Sequence, residues 1–159
     1  MSRGHGTLNV VNNKAYIVVS LPVTVFSKSA AAPSVADGIL TAKELKANET
    51  VFREAIKKGL KVKTEQAESV FSTILLNLPK GGHHEPDRSA ELTAMIVAPL
   101  SLTAGKIGPI DVINMLWAKD AQQLKLKATV TPKGQAERSE LFELTPKAAQ
   151  HRFFDAPAK

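Results

Sequence analysis

Histidine and acidic residues come together at one place in the sequence, His83-His84-Glu85 followed by Asp87. These residue types bind metals when their spacing lets several of them reach one ion. Adjacent histidines in a loop rich in glycine and proline do not provide that spacing, so a solvated loop is favoured over a metal site. The remaining histidines, His5 and His151, lie near the two ends and are expected at the surface. We predict neither a metal nor another cofactor.

Residues for covalent or acid–base catalysis occur without a recognisable arrangement. No serine lies in a Gly-x-Ser-x-Gly context, and Gly105-Lys106-Ile107-Gly108 lacks the spacing of a phosphate-binding loop. The absence of cysteine excludes disulfides, thiolate zinc sites and a cysteine nucleophile. Glu137, Glu140 and Glu143 recur every three residues, which is typical of a solvated helix or strand face. The sequence therefore predicts a protein that is not an enzyme.

The lysines are the stronger candidates for function. The chain carries 21 Lys+Arg against 15 Asp+Glu, a formal net charge of +6. Lysines neutralise phosphates and release counterions, although a basic surface can also serve solubility alone. No arginine, asparagine or aromatic residue is interleaved among them to recognise base edges, so binding without sequence specificity is expected. The candidate nucleic-acid-binding residues are Lys57, Lys58, Lys61 and Lys63 in one cluster, and Lys119, Lys125, Lys127 and Lys133 in another.

The length and composition suit a single domain spanning residues 1–159. Hydrophobic residues make up 43% and aromatic residues only 5%, so the core must consist mainly of valine, leucine, isoleucine and alanine. Polar or Gly/Ser/Pro-rich stretches predict an extended N-terminal segment at 1–7, an internal linker at 27–38 and a C-terminal tail at 155–159.

One apolar stretch raises the question of export. Lys14 precedes an apolar run over 15–26, and Ala30 to Ala32 follow at the position of a cleavage site. Several β-branched residues and Pro22 in the run disfavour a signal peptide, and no run approaches the roughly 18 apolar residues that a membrane span needs. We predict no membrane partner, and a bacterial cytoplasmic or virion location in preference to export.

Two amphipathic segments predict a pair of helices. Thr41 and Glu44 form a Ser/Thr-x-x-Glu capping box, which places the first helix from residue 42 or 49 to residue 58, with Gly59 at its end. Thr64 is a candidate N-cap for a second helix that ends at Pro79. The apolar residues of that segment recur at helical spacing, at Ala67, Val70, Phe71, Ile74, Leu75 and Leu78.

Alternating segments predict strands. Leu124, Leu126, Ala128 and Val130 alternate with polar residues, so Lys125 and Lys127 are expected on a solvent face, and residues 91–98 alternate similarly. Residues 8–11 and 15–26 also have the composition of strands.

Two segments near the C-terminal half are harder to assign. Residues 110–117 fit either a strand or a short helix that begins after Pro109, and the strand is slightly preferred. Thr145-Pro146 resembles an N-cap with proline at the first helical position, which predicts a final helix over 146–154. The fold class predicted is α+β, an antiparallel β-sheet with an αα-hairpin.

This order of elements resembles the HU and integration-host-factor fold over about residues 41–134, especially HU-related domains of the Bacteroides type. The residues that carry the resemblance are Phe52-Arg53-Glu54-Ala55-Ile56-Lys57-Lys58-Gly59, then Val62 to Phe71, and Leu124 to Gly134. The resemblance implies DNA binding and dimerisation through the helices. The sequence departs from the family in lacking the Arg-x-Asn-Pro segment that enters the minor groove and the Gly-Phe-Gly signature.

Two functions remain open from the sequence. The first is a non-enzymatic, HU-like protein that binds duplex DNA without sequence specificity, through the lysines. The second is a structural or assembly component of a virion or other large complex, either a homo-oligomer or a subunit with extended ends that contact its neighbours.

Overall fold

The computed structural model describes residues 4–28, 32–78, 88–101, 109–131 and 136–155. Within them the chain is mainly β, with two short α-helices and single 3-10 turns at Val23–Phe26 and Ala32–Val35. In chain order the elements are β1 (Gly4–Val11), β2 (Lys14–Pro22), β3 (Leu40–Thr41), α1 (Ala42–Ala47), α2 (Glu49–Gly59), β4 (Leu60–Lys63), β5 (Thr73–Asn77), β6 (Arg88–Ser89), β7 (Glu91–Pro99), β8 (Ile110–Asn114), β9 (Leu124–Val130), β10 (Arg138–Leu144) and β11 (Gln150–Phe153).

The largest sheet has six strands in the order β10-β9-β1-β2-β7-β5. Only the β9–β1 pair is parallel, and every other pairing in this sheet is antiparallel. The apolar residues of β2, β7 and β9 alternate with exposed ones, so one face of the sheet is buried and the other is open to solvent. The open face is called the outer face below.

A second sheet, β11-β8-β4, is connected to the first at two corners. At one corner Thr145 and Ala148 exchange backbone hydrogen bonds in a tight turn that leads from β10 into β11. At the other corner residues 64–72 lead from β4 to β5, and Ser69 N–H donates to the Val62 carbonyl. Buried residues from both sheets and from α2 belong to one hydrophobic cluster, which includes Leu126 and Phe153.

The first predicted helix is confirmed, but it is broken into α1 and α2 at Asn48. The Thr41–Glu44 capping box is present, with both reciprocal hydrogen bonds at 3.1 Å. Phe52 and Ile56 of α2 are fully buried, and the Phe52 ring meets Phe26 edge-on at 5.1 Å. Gly59 is required for packing, since a Cβ there would lie 2.5 Å from the Leu116 side chain.

The predicted second helix is wrong, and with it the αα-hairpin and the α+β, HU-like fold class. Residues 60–63 form β4 and residues 73–77 form β5, which pairs with β7. Thr64 does accept the N–H groups of Gln66 and Ala67 as a cap would. The chain then turns back instead of continuing as a helix, and Val70 is 81% exposed. Pairing of the β-branched Thr73 and Ile74 with β7 outweighs the helical spacing of the apolar residues.

Other predictions have mixed outcomes. The strands over 91–98 and 124–130 are confirmed, and β8 confirms the preference for a strand at 110–117. The final helix over 146–154 is wrong, because Thr145 Oγ1 accepts the Ala148 N–H within the tight turn that starts β11. Residues 4–7 of the predicted extended N-terminal segment lie in β1.

In the part of the chain that the structure describes, no helix is long and apolar enough to cross a membrane. The apolar run over 15–26 forms the inner strand β2 and the 3-10 turn that follows it.

Candidate nucleic-acid interface

The outer face presents side chains in rows that cross all six strands. One row runs Leu141, Lys127, Thr7, Val18, Met95 and Leu75 from β10 to β5, with each neighbour in direct register. The next row runs Ser139, Thr129, Asn9, Tyr16, Val97 and Thr73. Because side chains directly opposite each other are in contact range, each row is a continuous strip of surface.

Two lysines from the second predicted cluster lie on this face. Lys125 and Lys127 are exposed, while Leu124, Leu126 and Ala128 of the same strand are buried. The Cα atoms of the two lysines are about 6.8 Å apart, as two residues of antiparallel strand require. No described carboxylate lies within 4 Å of either ammonium group. The structure therefore leaves two adjacent cations available on an open sheet.

Beside the lysines the outer face becomes apolar. Tyr16, Val18, Met95 and Leu75 form an apolar patch on β2, β7 and β5, with exposed fractions of 42%, 39%, 45% and 50%. Large apolar groups that lie together and remain exposed mark an interaction surface more often than scattered ones do. The outer face thus combines the lysines of β9 with an apolar patch on one side, and Leu141 of β10, 57% exposed, lies on the other side of Lys127.

The carboxylates of this face lie towards one end. Glu143 is the register partner of Lys125, and Glu91 accepts a hydrogen bond from the Ser20 hydroxyl at 2.9 Å. The rows that contain Lys127 and Tyr16 carry no acidic residue. A polyanion is therefore best accommodated across these two middle rows.

The first lysine cluster is arranged differently. Lys57 lies 3.6 Å from Glu54, and Lys61 and Lys63 of β4 both lie 3.9 Å from Glu68. Lys58 is exposed in the last turn of α2.

A third member of the second cluster, Lys119, does not join the outer face. Lys119 is exposed in a turn closed by the bridge between Ala118 and Ala121. Lys133 lies outside the described residues. Of the seven predicted residues that the structure describes, Lys125 and Lys127 share the open sheet and the other five lie elsewhere.

A polar cluster that was not predicted from the sequence lies at the corner between β10 and β11. His151 Nε2 contacts Glu140 Oε2, and the His151 ring stacks on Phe142 with centroids 3.8 Å apart. The other Glu140 oxygen accepts the Phe154 N–H at 3.2 Å. His151 was expected at the surface and Glu140 on a solvated face, but both are only partly exposed and connect the two sheets.

An ion pair joins β11 to β8 near this corner. Arg152 donates to both carboxylate oxygens of Asp111, at 2.9 and 3.3 Å. The hydrogen bond that Arg152 donates to Asp111, and then the charge of Asp111, raise the pKa of the Arg152 guanidinium above its ordinary value. Asp111 and Arg152 are far apart in the sequence. The pairing of β8 with β11 brings them side by side.

The described residues contain no group of three or more histidine, aspartate or glutamate side chains that could hold a metal ion. The candidate loop His83-His84-Glu85 with Asp87 lies outside those residues. No protein-family model and no curated protein sequence matches the chain.

Proposed function

We infer that this protein binds DNA without sequence specificity and without catalysis, through Lys125 and Lys127 on the outer face of the six-stranded sheet. The observation that carries this proposal is the pairing of two exposed lysines on an open strand with no described carboxylate in contact. The net charge of +6 adds long-range attraction for a polyanion.

The geometry favours contact with the phosphate backbone over recognition of base sequence. Lysine is a flexible point charge, and it does not form the planar two-pronged contacts by which arginine recognises guanine. The proposed surface is the face of a β-sheet and not the helix that usually enters a groove. In this proposal the protein acts where nucleic acid is present, in a bacterial cytoplasm or a virion.

Fluorescence anisotropy with labelled DNA across a salt series tests the proposal. Micromolar binding is expected at low salt, with an affinity that falls steeply as salt rises because each neutralised phosphate releases a counterion. Absence of binding to duplex and single-stranded DNA at low salt would contradict it.

A second candidate function is supported by the apolar patch. Exposed apolar side chains at Val18, Met95 and Leu75 suit contact with a protein neighbour, as in an assembly or virion component. Light scattering at several protein concentrations tests this candidate. A mass that rises towards a defined oligomer supports it, and a constant monomer mass counts against self-assembly.

A further inference from the structure

We propose that the outer face binds single-stranded nucleic acid in preference to duplex, with the phosphates on Lys125 and Lys127 and the bases on the apolar patch. This inference rests on the proposed function and specifies the form of nucleic acid that the same site takes. The inference accounts for the exposed apolar patch beside the two lysines, because attraction between charges does not explain why that patch is exposed.

The first step is the placement of the lysines and the patch. Lys127 on β9 and Val18 on β2 lie in the same row, separated only by Thr7 of β1. Two strand spacings separate them, which is about 10 Å. Tyr16 lies in the neighbouring row, on the same face as Val18. A nucleic-acid backbone that runs along β9 can therefore place its bases on the apolar patch.

The second step is chemical complementarity. A duplex presents phosphates on its outside and keeps the faces of its bases stacked inside, so it offers little to cover exposed apolar groups. A single strand presents both phosphates and free base faces, which stack on aromatic and apolar side chains. Tyr16 is 42% exposed and Met95 is 45% exposed, so both are available for such contact.

The third step is the polar surface between the lysines and the patch. Thr7 and Asn9 of β1 lie between the lysine strand and the patch, and both are exposed. Their side chains can donate to or accept from a nucleotide of any base. Contacts of this kind tolerate every sequence, which agrees with binding that does not recognise sequence.

The test compares three labelled probes of about 12 nucleotides, a length within the range of known single-strand sites. The probes are oligothymidylate, a duplex, and an abasic strand with the same phosphates but no bases. Oligothymidylate is expected to bind at least about fivefold more tightly than the abasic strand, since a stacked base contributes that much or more. Equal affinity for these two probes, or tighter binding of the duplex, overturns the inference and leaves the proposed function standing. No binding of any probe contradicts the proposed function itself.

A matched pair of variants locates the bases. Tyr16→Thr keeps a residue suited to a strand but removes the ring, and it is expected to weaken oligothymidylate binding about fivefold or more without changing abasic binding. Tyr16→Phe keeps the ring and should retain the wild-type affinity. Thermal melts establish that both variants are folded. If Tyr16→Thr instead abolishes self-association and leaves the affinity for oligothymidylate unchanged, the patch is a protein interface and the inference is overturned.

Discussion

Two strands of this protein carry nearly the same sequence and have different surroundings. Leu60-Lys61-Val62-Lys63 forms β4 and Leu124-Lys125-Leu126-Lys127 begins β9, each with apolar residues buried and lysines turned outward. Lys61 and Lys63 share Glu68, at 3.9 Å each, because residues 67–69 fold back beside β4. Lys125 and Lys127 face an open sheet next to the apolar patch.

The comparison shows that the number of lysines does not define a binding surface. Each pair contributes the same formal charge. Glu68 lies 3.9 Å from both lysines of the β4 pair and offsets part of their charge locally, whereas Glu143, the register partner of Lys125, forms no ion pair with the β9 lysines. Tyr16 and Val18 lie on β2, and β1 alone separates β2 from the lysine pair on β9. The β4 pair lies at the edge of a three-stranded sheet. We therefore propose a structural role for the region of α2 and β4 and a binding role for the outer face.

The largest expected effect tests the structural role of the α2 region. Phe52 is fully buried against Phe26, so Phe52→Ala should lower the free energy of unfolding by about 3–5 kcal/mol. Denaturant unfolding measures this change. DNA affinity, measured at a temperature where the variant is folded, should remain at the wild-type value. Loss of affinity in the folded variant would mean that the two regions are not separate in function.

A smaller effect is expected at the start of α1. Thr41→Ala removes the hydroxyl that accepts the Glu44 N–H, and should cost about 1 kcal/mol of stability. Thr41→Ser keeps the cap and is the matched control. Thermal unfolding of both variants checks the prediction, and equal stability of the two would show that the capping box contributes nothing.

The smallest effect is expected at Glu68. Its ion pairs with Lys61 and Lys63 are largely exposed, so Glu68→Gln should change stability by less than about 1 kcal/mol. DNA affinity should stay within about twofold at physiological salt, because screening over about 8 Å limits the effect of a charge away from the binding surface. A tenfold gain with a steeper salt dependence would instead identify the β4 lysines as a second binding site.

Local signals predicted several elements correctly, although the predicted fold class was wrong. The alternation in β7 and β9 and the capping box at Thr41 depend on neighbouring residues, and each is present in the structure. The prediction of a second helix was wrong. Phe71, Ile74 and Leu78 fit a helical period, but the pairing of this segment with β7 decides its conformation. The prediction of a final helix after Thr145-Pro146 was wrong for a related reason, because the same two residues suit both a helix start and a tight turn.

The candidate site was only partly visible in the sequence. The exposure of Lys125 and Lys127 was predicted from the alternation of apolar and polar residues within one strand. The apolar patch required knowing that Tyr16, Met95 and Leu75 come from three adjacent strands and lie side by side. The contact of Glu140 with His151 likewise depends on the turn that brings β10 beside β11. Sequence spacing carries no information about such long-range register.

The most direct test compares two double variants, Lys125→Gln/Lys127→Gln and Lys61→Gln/Lys63→Gln. Each removes the same amount of positive charge. Anisotropy with oligothymidylate across a salt series should show that the β9 variant loses affinity and that its log–log salt slope is shallower by about 1.4, from two lost phosphate contacts on a single strand. The β4 variant should keep nearly the wild-type slope. Both should stay within about 0.5 kcal/mol of wild-type stability, as is usual for surface changes. Equal losses in the two variants would contradict the account, because binding would then follow net charge and not the outer face.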